Sequence, residues 1–286
     1  MRFVKAFVRR FDRLKNRLRP NKRWQANFEL LKMLVQRDLE ERYKGSVLGN
    51  LWPLLTQLSQ LLIYTFVFSI VLKVKVELMN GKPVDGNITF GLWLFAGLLP
   101  WIAFTGGLVR SAVSVVVQPN LVKKVVFPLD LLPLVPVLSA FIESLFGLAM
   151  LILLVALSSQ ELYTTFALLP LVWLPQLLLT AGLGYFAAGL TVFLRDIPQL
   201  LGVVLNLWFY LTPIVYPISL VPEDFRVVIF WLNPLAAFSQ VYRDLILAGS
   251  VEYEKEWLVA SGVSLLVFGL GLWVYRRLRP AFADVL

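Results

Sequence analysis

The chain has 286 residues, 58% of them hydrophobic, with a mean hydropathy of +0.74; soluble domains sit near roughly 45–50% apolar, so a polytopic membrane protein is expected. There is no Cys and no His, which excludes disulfides, thiol nucleophiles, zinc sites and every His-dependent triad. The formal charge of +9 fits nucleic acid or a membrane surface, and the placement of the charges decides between them.

Residues 1–23 are basic throughout and hold no apolar run before a small-residue cleavage site, so no cleavable signal peptide is expected. Phe3, Phe7, Phe11, Leu14 and Leu18 fall on one helical stripe among basic residues. That is the pattern of a helix lying in the membrane interface; the alternative is a loosely ordered basic tail. Neither offers a nucleic-acid recognition fold, so membrane lipids are the expected partner. Trp24, Phe28, Leu31, Val35 and Leu39 then recur on one helical face, with Glu29, Gln36, Arg37 and Glu40 opposite. Residues 1–50 thus read as cytoplasmic amphipathic helices. Gly45 and Gly49 let the chain turn at the joint that follows. Trp52 suits headgroup depth, and Pro53 suits a first helical turn, where no amide donor is needed.

A membrane-crossing helix needs about 20 apolar residues. Six stretches qualify, at 51–72, 88–117, 131–157, 165–194, 200–216 and 257–275. A further apolar stretch at 227–238 is shorter and carries Asn233-Pro234, which suits a re-entrant or interfacial helix. With six spans and a cytoplasmic N-terminus, 21 of the 27 Lys and Arg face the cytoplasm, as the positive-inside rule requires. Lys73, Lys75, Lys82, Arg226, Arg243 and Lys255 then lie outside. A seventh span would carry Arg276, Arg277 and Arg279 across, against that rule. Both termini are therefore expected in the cytoplasm.

Glu143 falls inside the third span, where a lone charge is costly. A proton relay or a neutral carboxyl bonding across a helix interface are the two readings. Arg110 can snorkel to the cytoplasmic surface, and Arg195-Asp196 is expected to cap the turn after span four. Between spans five and six, Pro213, Pro217, Pro222 and Pro234 cut the chain into short helices, with aromatics at Tyr216, Trp231 and Tyr242.

The stretch RDLEERYKGSVLGNLWPLL, with Arg37-Asp38-Leu39, Arg42-Tyr43, Ser46, Leu48-Gly49 and Trp52, resembles the leading motif of ABC-2 exporter permeases. The likeness is to the Wzm-like branch that exports O-antigen, capsule or teichoic acid. LVKKVVFPLDLLPLVPVLSAFIE, FLRDIPQLL, LTPIVYPISLVPEDF, LNPLAAF and YRDLILAG follow in the family's order and spacing. The resemblance implies an all-α fold of six transmembrane helices, with amphipathic helices before the first and re-entrant gate helices at 217–249 before the last. It also implies a homodimer in the cytoplasmic (inner) membrane, two copies of a cytoplasmic nucleotide-binding subunit, and a lipid-linked polysaccharide moving between the two permease copies.

No G-x-x-x-x-G-K-[ST] occurs; the one Gly-Lys pair, Gly81-Lys82, runs into Pro83. The chain is therefore expected to bind no cofactor and to hydrolyse no ATP, with ATP and Mg on the partner subunit. The resemblance marks loop 118–130 as the coupling element. Lys123, Lys124 and Phe127, together with Arg42 and Tyr43, are the candidate ATPase-coupling residues. Aromatic rings can stack on the apolar faces of sugars, and Tyr64 and Phe68 share one face of span one. Trp93, Trp101 and Phe104 share one face of span two. These five are either glycan contacts along the channel or ordinary belt and packing residues. Pro213, Tyr216, Pro217, Trp231 and Tyr242 are the candidate gate residues. Rival functions are efflux of a drug or small lipid, a lipid transferase in need of paired acids, and a proton-coupled carrier.

Overall fold

A computed structural model describes residues 20–71, 87–123, 127–158 and 163–286. The stripe from Phe3 to Leu18 and the expected outer lysines Lys73, Lys75 and Lys82 lie outside them. Every regular element among the described residues is helical. Four stretches there are long and apolar enough to cross a membrane: Phe90–Val113, Leu129–Leu157, Thr164–Thr191 and Glu254–Val285. The chain is thus a multi-pass, all-helical membrane protein.

Helix α1 spans Pro20–Arg42 and α2 spans Trp52–Tyr64, with proline in its first turn. Gly45 and Gly49, in the joint between them, take φ of 83° and 47°, values that a residue with a side chain adopts only under strain. The Trp52 indole donates to Ser46 Oγ across this joint. Past Tyr64 the first apolar stretch continues in π-helical turns over Thr65–Val71.

Helix α3, Asn87–Val113, is the axis of the bundle: 78% of its apolar window is buried, against 17% for the last helix. Around it pack α4 (Leu134–Leu157) and α5 (Leu169–Thr191). Helix α6, Ile197–Leu211, starts and stops earlier than the stretch at 200–216. Pro198 fits its first turn, and Pro213 pushes Thr212 into an extended conformation (ψ 129°) that ends it. Two short helices follow, α7 (Glu223–Leu232) and α8 (Pro234–Arg243). They are separated by extended Asn233, and α9 (Glu254–Leu278) closes the bundle.

Helices α5 and α9 approach closely backbone to backbone. A Cβ on Gly271 would sit 2.0 Å from the Gly182 carbonyl oxygen, and one on Gly182 would sit 2.6 Å from the Phe268 backbone. In lipid, close backbone approach through small residues is a main source of helix association.

The expected stripe on α1 is shifted. Leu30, Leu34 and Val35 are buried against Val135 of α4, with Leu31 and Leu39 beside them. Trp24 and Phe28 are 74% and 60% exposed and stack on each other, centroids 6.2 Å apart. No described side chain of α1 before Leu30 is buried, so the neighbouring helix, not periodicity alone, selects the buried face.

Candidate functional site

Three helices, α2, α3 and α6, bound a hollow of about 500 Å³. Gln60 and Tyr64 enter from α2, Trp101 and Thr105 from α3, Asn206, Phe209 and Tyr210 from α6. Each set recurs at spacings of three or four, hence on one face of its helix. Tyr64 stacks on Phe209 at 6.0 Å, and Trp101 meets Phe209 at 5.5 Å. The wall therefore combines aromatic faces with amide and hydroxyl groups, a surface suited to a ligand with polar edges and apolar faces.

Of the five aromatics proposed as glycan contacts, only Tyr64 and Trp101 line the hollow. Phe68 packs on the core at its margin, 6.3 Å from Tyr64. Phe104 is fully buried behind Trp101, edge-on to Trp208 at 5.3 Å. Trp93 is buried too, its ring covered by the Arg243 guanidinium at 3.6 Å. Spacing alone puts Trp93 and Trp101 on one face, but the burial of Trp93 under α8 takes it out of the hollow. Gln60, Thr105 and Asn206 also line the hollow; in the sequence they stand as isolated polar groups on the same face as an aromatic.

At the basic end of the bundle, Glu143 of α4 gathers three partners from two other elements. Arg42 Nη1 lies 2.5 Å from its Oε1, Tyr43 Oη donates to Oε1 at 3.1 Å, and Arg110 Nη2 donates to Oε2 at 3.1 Å. Arg42 also pairs with Asp38, and Arg110 Nε donates to the Gly106 carbonyl at 2.8 Å. In place of a lone carboxyl in its span, Glu143 is the centre of an ion-pair cluster that joins the end of α1 to α3 and α4, with Arg110, its side chain 34% exposed, as one arm. Desolvation and the neighbouring carboxylate push Tyr43 up to about 12, so it remains a donor at physiological pH. Beside the cluster, a 240 Å³ cavity runs between α1, α3 and α4, with Arg37, Glu41 and Gln118 on its wall.

The described residues of loop 118–130, 118–123 and 127–130, pack against the same end. Lys123 is exposed, Lys124 lies outside the described residues, and Phe127 packs against two apolar clusters, one with Leu30 and Val135 and the other with Leu129, Tyr185 and Tyr275. Asp130 pairs with Arg276 at 3.1 Å and Arg279 at 3.2 Å. Tyr185 and Tyr275 donate to the Asp130 and Leu129 carbonyls. The loop is thus braced by the last helix. Asp196 sits at the α6 N-cap position without a side-chain cap bond, so the expected capping role falls away.

At the far end, Pro213 supplies its carbonyl to Arg243, and Tyr216 donates to the Tyr210 carbonyl at the margin of the hollow. Pro217 precedes a short 3₁₀ turn, Tyr242 is buried and donates to Gln176, and Trp231 is 56% exposed.

The sequence profile of ABC-2 type transporters matches residues 29–247, a region that contains the hollow and the Glu143 cluster. The chain belongs to the ABC-2 type transporter family. Among the relatives of this ABC-2 protein, an O-antigen export system permease of Klebsiella pneumoniae is 30% identical over 261 residues, covering 91% of this chain and 95% of the relative. A permease of the same description from Myxococcus xanthus is 29% identical over 89% of this chain and 94% of its own length. A polysialic acid transport protein of Escherichia coli is 23% identical over 90% and 97%. The chain is a transport subunit of the ABC-2 type, and in that family ATP is hydrolysed by a separate subunit.

Proposed function

We propose that this ABC-2 permease is the membrane subunit of an ATP-driven exporter that carries a lipid-linked polysaccharide across the inner membrane. The observation that carries this reading is the alignment, over about nine-tenths of the chain, with permeases named for O-antigen export. The hollow supports it, because a polymer that slides needs many weak contacts. Rings with interspersed Gln60, Thr105 and Asn206 supply such contacts without fixing one sugar sequence. The open sides of α2 and α6, where Leu62, Leu207 and Tyr210 are exposed, suit a second copy that would complete the channel. Each copy would receive force from its own nucleotide-binding subunit through loop 118–130, at Lys123, Lys124 and Phe127. Arg42 and Tyr43 would pass it on to α4 through Glu143. ATP and Mg would sit on that partner.

In this arrangement six segments cross the membrane, both termini are cytoplasmic, and the segment at 217–249 forms the extracytoplasmic gate. The chain has no native Cys, so single-Cys labelling tests the topology directly. A Cys at Lys255 should react with an impermeant maleimide added outside, and a Cys at Ala283 only after the membrane is opened. Outside labelling at Ala283 would overturn the arrangement.

A strain lacking the chain should accumulate lipid-linked polymer inside and show none at the surface. Reintroducing the native chain should restore surface polymer, whereas Tyr64→Leu and Trp101→Leu should insert normally and export more slowly. Surface polymer at wild-type level in the deletion strain would refute the function. Native export by both variants at equal membrane levels would refute the path.

A further inference from the structure

The far-end segment divides into two helices with opposite attachments. All ten residues of α8 are buried, and its two ends are fastened. At its start Asn233 Oδ1 accepts from the Leu235 amide at 3.2 Å and from the Trp208 indole at 2.9 Å, while its Nδ2 donates to Thr212 Oγ1 at 2.8 Å. At its end stands Arg243, 2% exposed. Its Nη1 donates to the Pro213 carbonyl at 2.9 Å and to Gln240 Oε1 at 3.3 Å. Its Nη2 donates to the Ile214 carbonyl at 2.6 Å, and its Nε to the Trp93 carbonyl at 3.2 Å. The guanidinium carbon also lies over the Trp93 ring, 3.6 Å from the centroid. The seat leaves no spare room, since a Cβ on Gly97 would stand 2.3 Å from Nη2. These partners belong to α3, to the break after α6 and to α8 itself. Withdrawing α8 would strip a buried cation of the three carbonyls of Trp93, Pro213 and Ile214 and of the Trp93 ring at once, a heavily penalised step in a low-dielectric setting.

Helix α7 is attached differently. Phe230 is the one described side chain on it that is buried, and it stacks on Tyr253 of the α8–α9 connection at 4.9 Å. Phe225, Val228, Trp231 and Leu232 are exposed. Arg226 turns back to the Val221 and Ser219 carbonyls of its own approach rather than to the bundle. The helix is flanked by non-helical Pro222 (ψ 143°) and Asn233 (φ −118°, ψ 92°). It can therefore swing about both without losing a helical hydrogen bond, and few buried contacts resist it.

We infer that Arg243 is the positioning residue that holds α8 as the fixed post of the gate, leaving α7 as its one moving leaf. The inference rests on the reading of this segment as the extracytoplasmic gate. It describes where displacement is cheap: α7 has one buried anchor among its described side chains, and α8 has a charge held by four hydrogen bonds at one end and a three-bond asparagine clamp at the other.

The Cys-free chain allows the two halves to be locked separately in the intact exporter. Phe230→Cys with Tyr253→Cys, joined by a short thiol-specific cross-linker, fastens α7. Thr165→Cys with Leu245→Cys fastens the end of α8, at a point where Thr165 Oγ1 already meets the Leu245 carbonyl at 2.7 Å. Mass spectrometry verifies each link, and a cleavable reagent reverses it. The expected result is that the 230–253 link stops export reversibly and the 165–245 link leaves it at the native rate. If both links stop export, or only the second does, α8 moves and the fixed post is overturned. If neither does, the gate reading itself fails. A second readout isolates Arg243. In proteoliposomes Arg243→Met should lose the resting seal against a small fluorescent solute while Arg243→Lys largely keeps it. Equal sealing by both variants, at equal insertion, would overturn the positioning role.

Discussion

Replacing Glu143 by alanine is expected to destabilise the permease by about 3–5 kcal/mol, the usual cost of removing one partner from a buried ion pair, and to abolish export. The Arg42 and Glu143 side chains are each 13% exposed and that of Arg110 is 34% exposed, so the two cations would be left facing each other with little water to replace the carboxylate. The effect should be largest at the α1 end, where Arg42 would retain only Asp38 and Tyr43 would lose its acceptor. Glu143→Asp, one methylene shorter, should lose one arm of the cluster and fall between the native chain and the alanine variant. Thermal unfolding in detergent and surface polymer give the two readouts. A double-mutant cycle separates the network from simple cavity formation. Arg110→Met should cost clearly less in the Glu143→Ala background than in the native chain, because the partner is already gone. Equal costs in the two backgrounds, or a native unfolding midpoint for Glu143→Ala, would show that the cluster does not tie α1 to the bundle.

The second large effect is expected at Gly271. A methyl group there would meet the Gly182 carbonyl oxygen at 2.0 Å, and both atoms are fixed by their own helix backbones, so no rotamer relieves the contact. Alanine should cost about 1–3 kcal/mol, the usual range for overpacking, and leucine should prevent accumulation in the membrane. Gly262 and Gly269, on the same helix, would meet nothing within 4 Å and serve as controls for helix propensity. Gly262→Ala and Gly269→Ala should match the native chain or slightly exceed it. If Gly271→Ala tracks these controls in membrane level and unfolding midpoint, close approach does not hold α5 against α9.

Helix existence was legible in the chain because it depends on local composition. The apolar stretches at 88–117, 131–157, 165–194 and 257–275 each correspond to a long apolar helix. The prolines in the stretch after α6 mark the breaks around α7 and α8. Helix ends were less legible, as the shift of 200–216 to Ile197–Leu211 illustrates. Proline position rather than hydropathy sets both of those ends. Faces were the least legible. Periodicity placed Trp24 and Phe28 in the buried stripe of α1, yet burial begins at Leu30.

The charged residues mark the division most sharply. From the sequence alone come the membrane class, the asymmetry of basic residues, and the absence of His, Cys and a nucleotide-binding loop. Each of these is a property of composition or short spacing. Tertiary structure decided that Glu143 is paired rather than isolated, because Tyr43 and Arg110 reach it across 100 and 33 residues of chain. It also decided that Arg243 is buried with carbonyls from residues 93, 213 and 214, and that Trp101 faces the hollow while Trp93 does not. A charge in a low-dielectric interior is governed by what lies within a few ångströms of it, and helix packing, not sequence spacing, sets that neighbourhood.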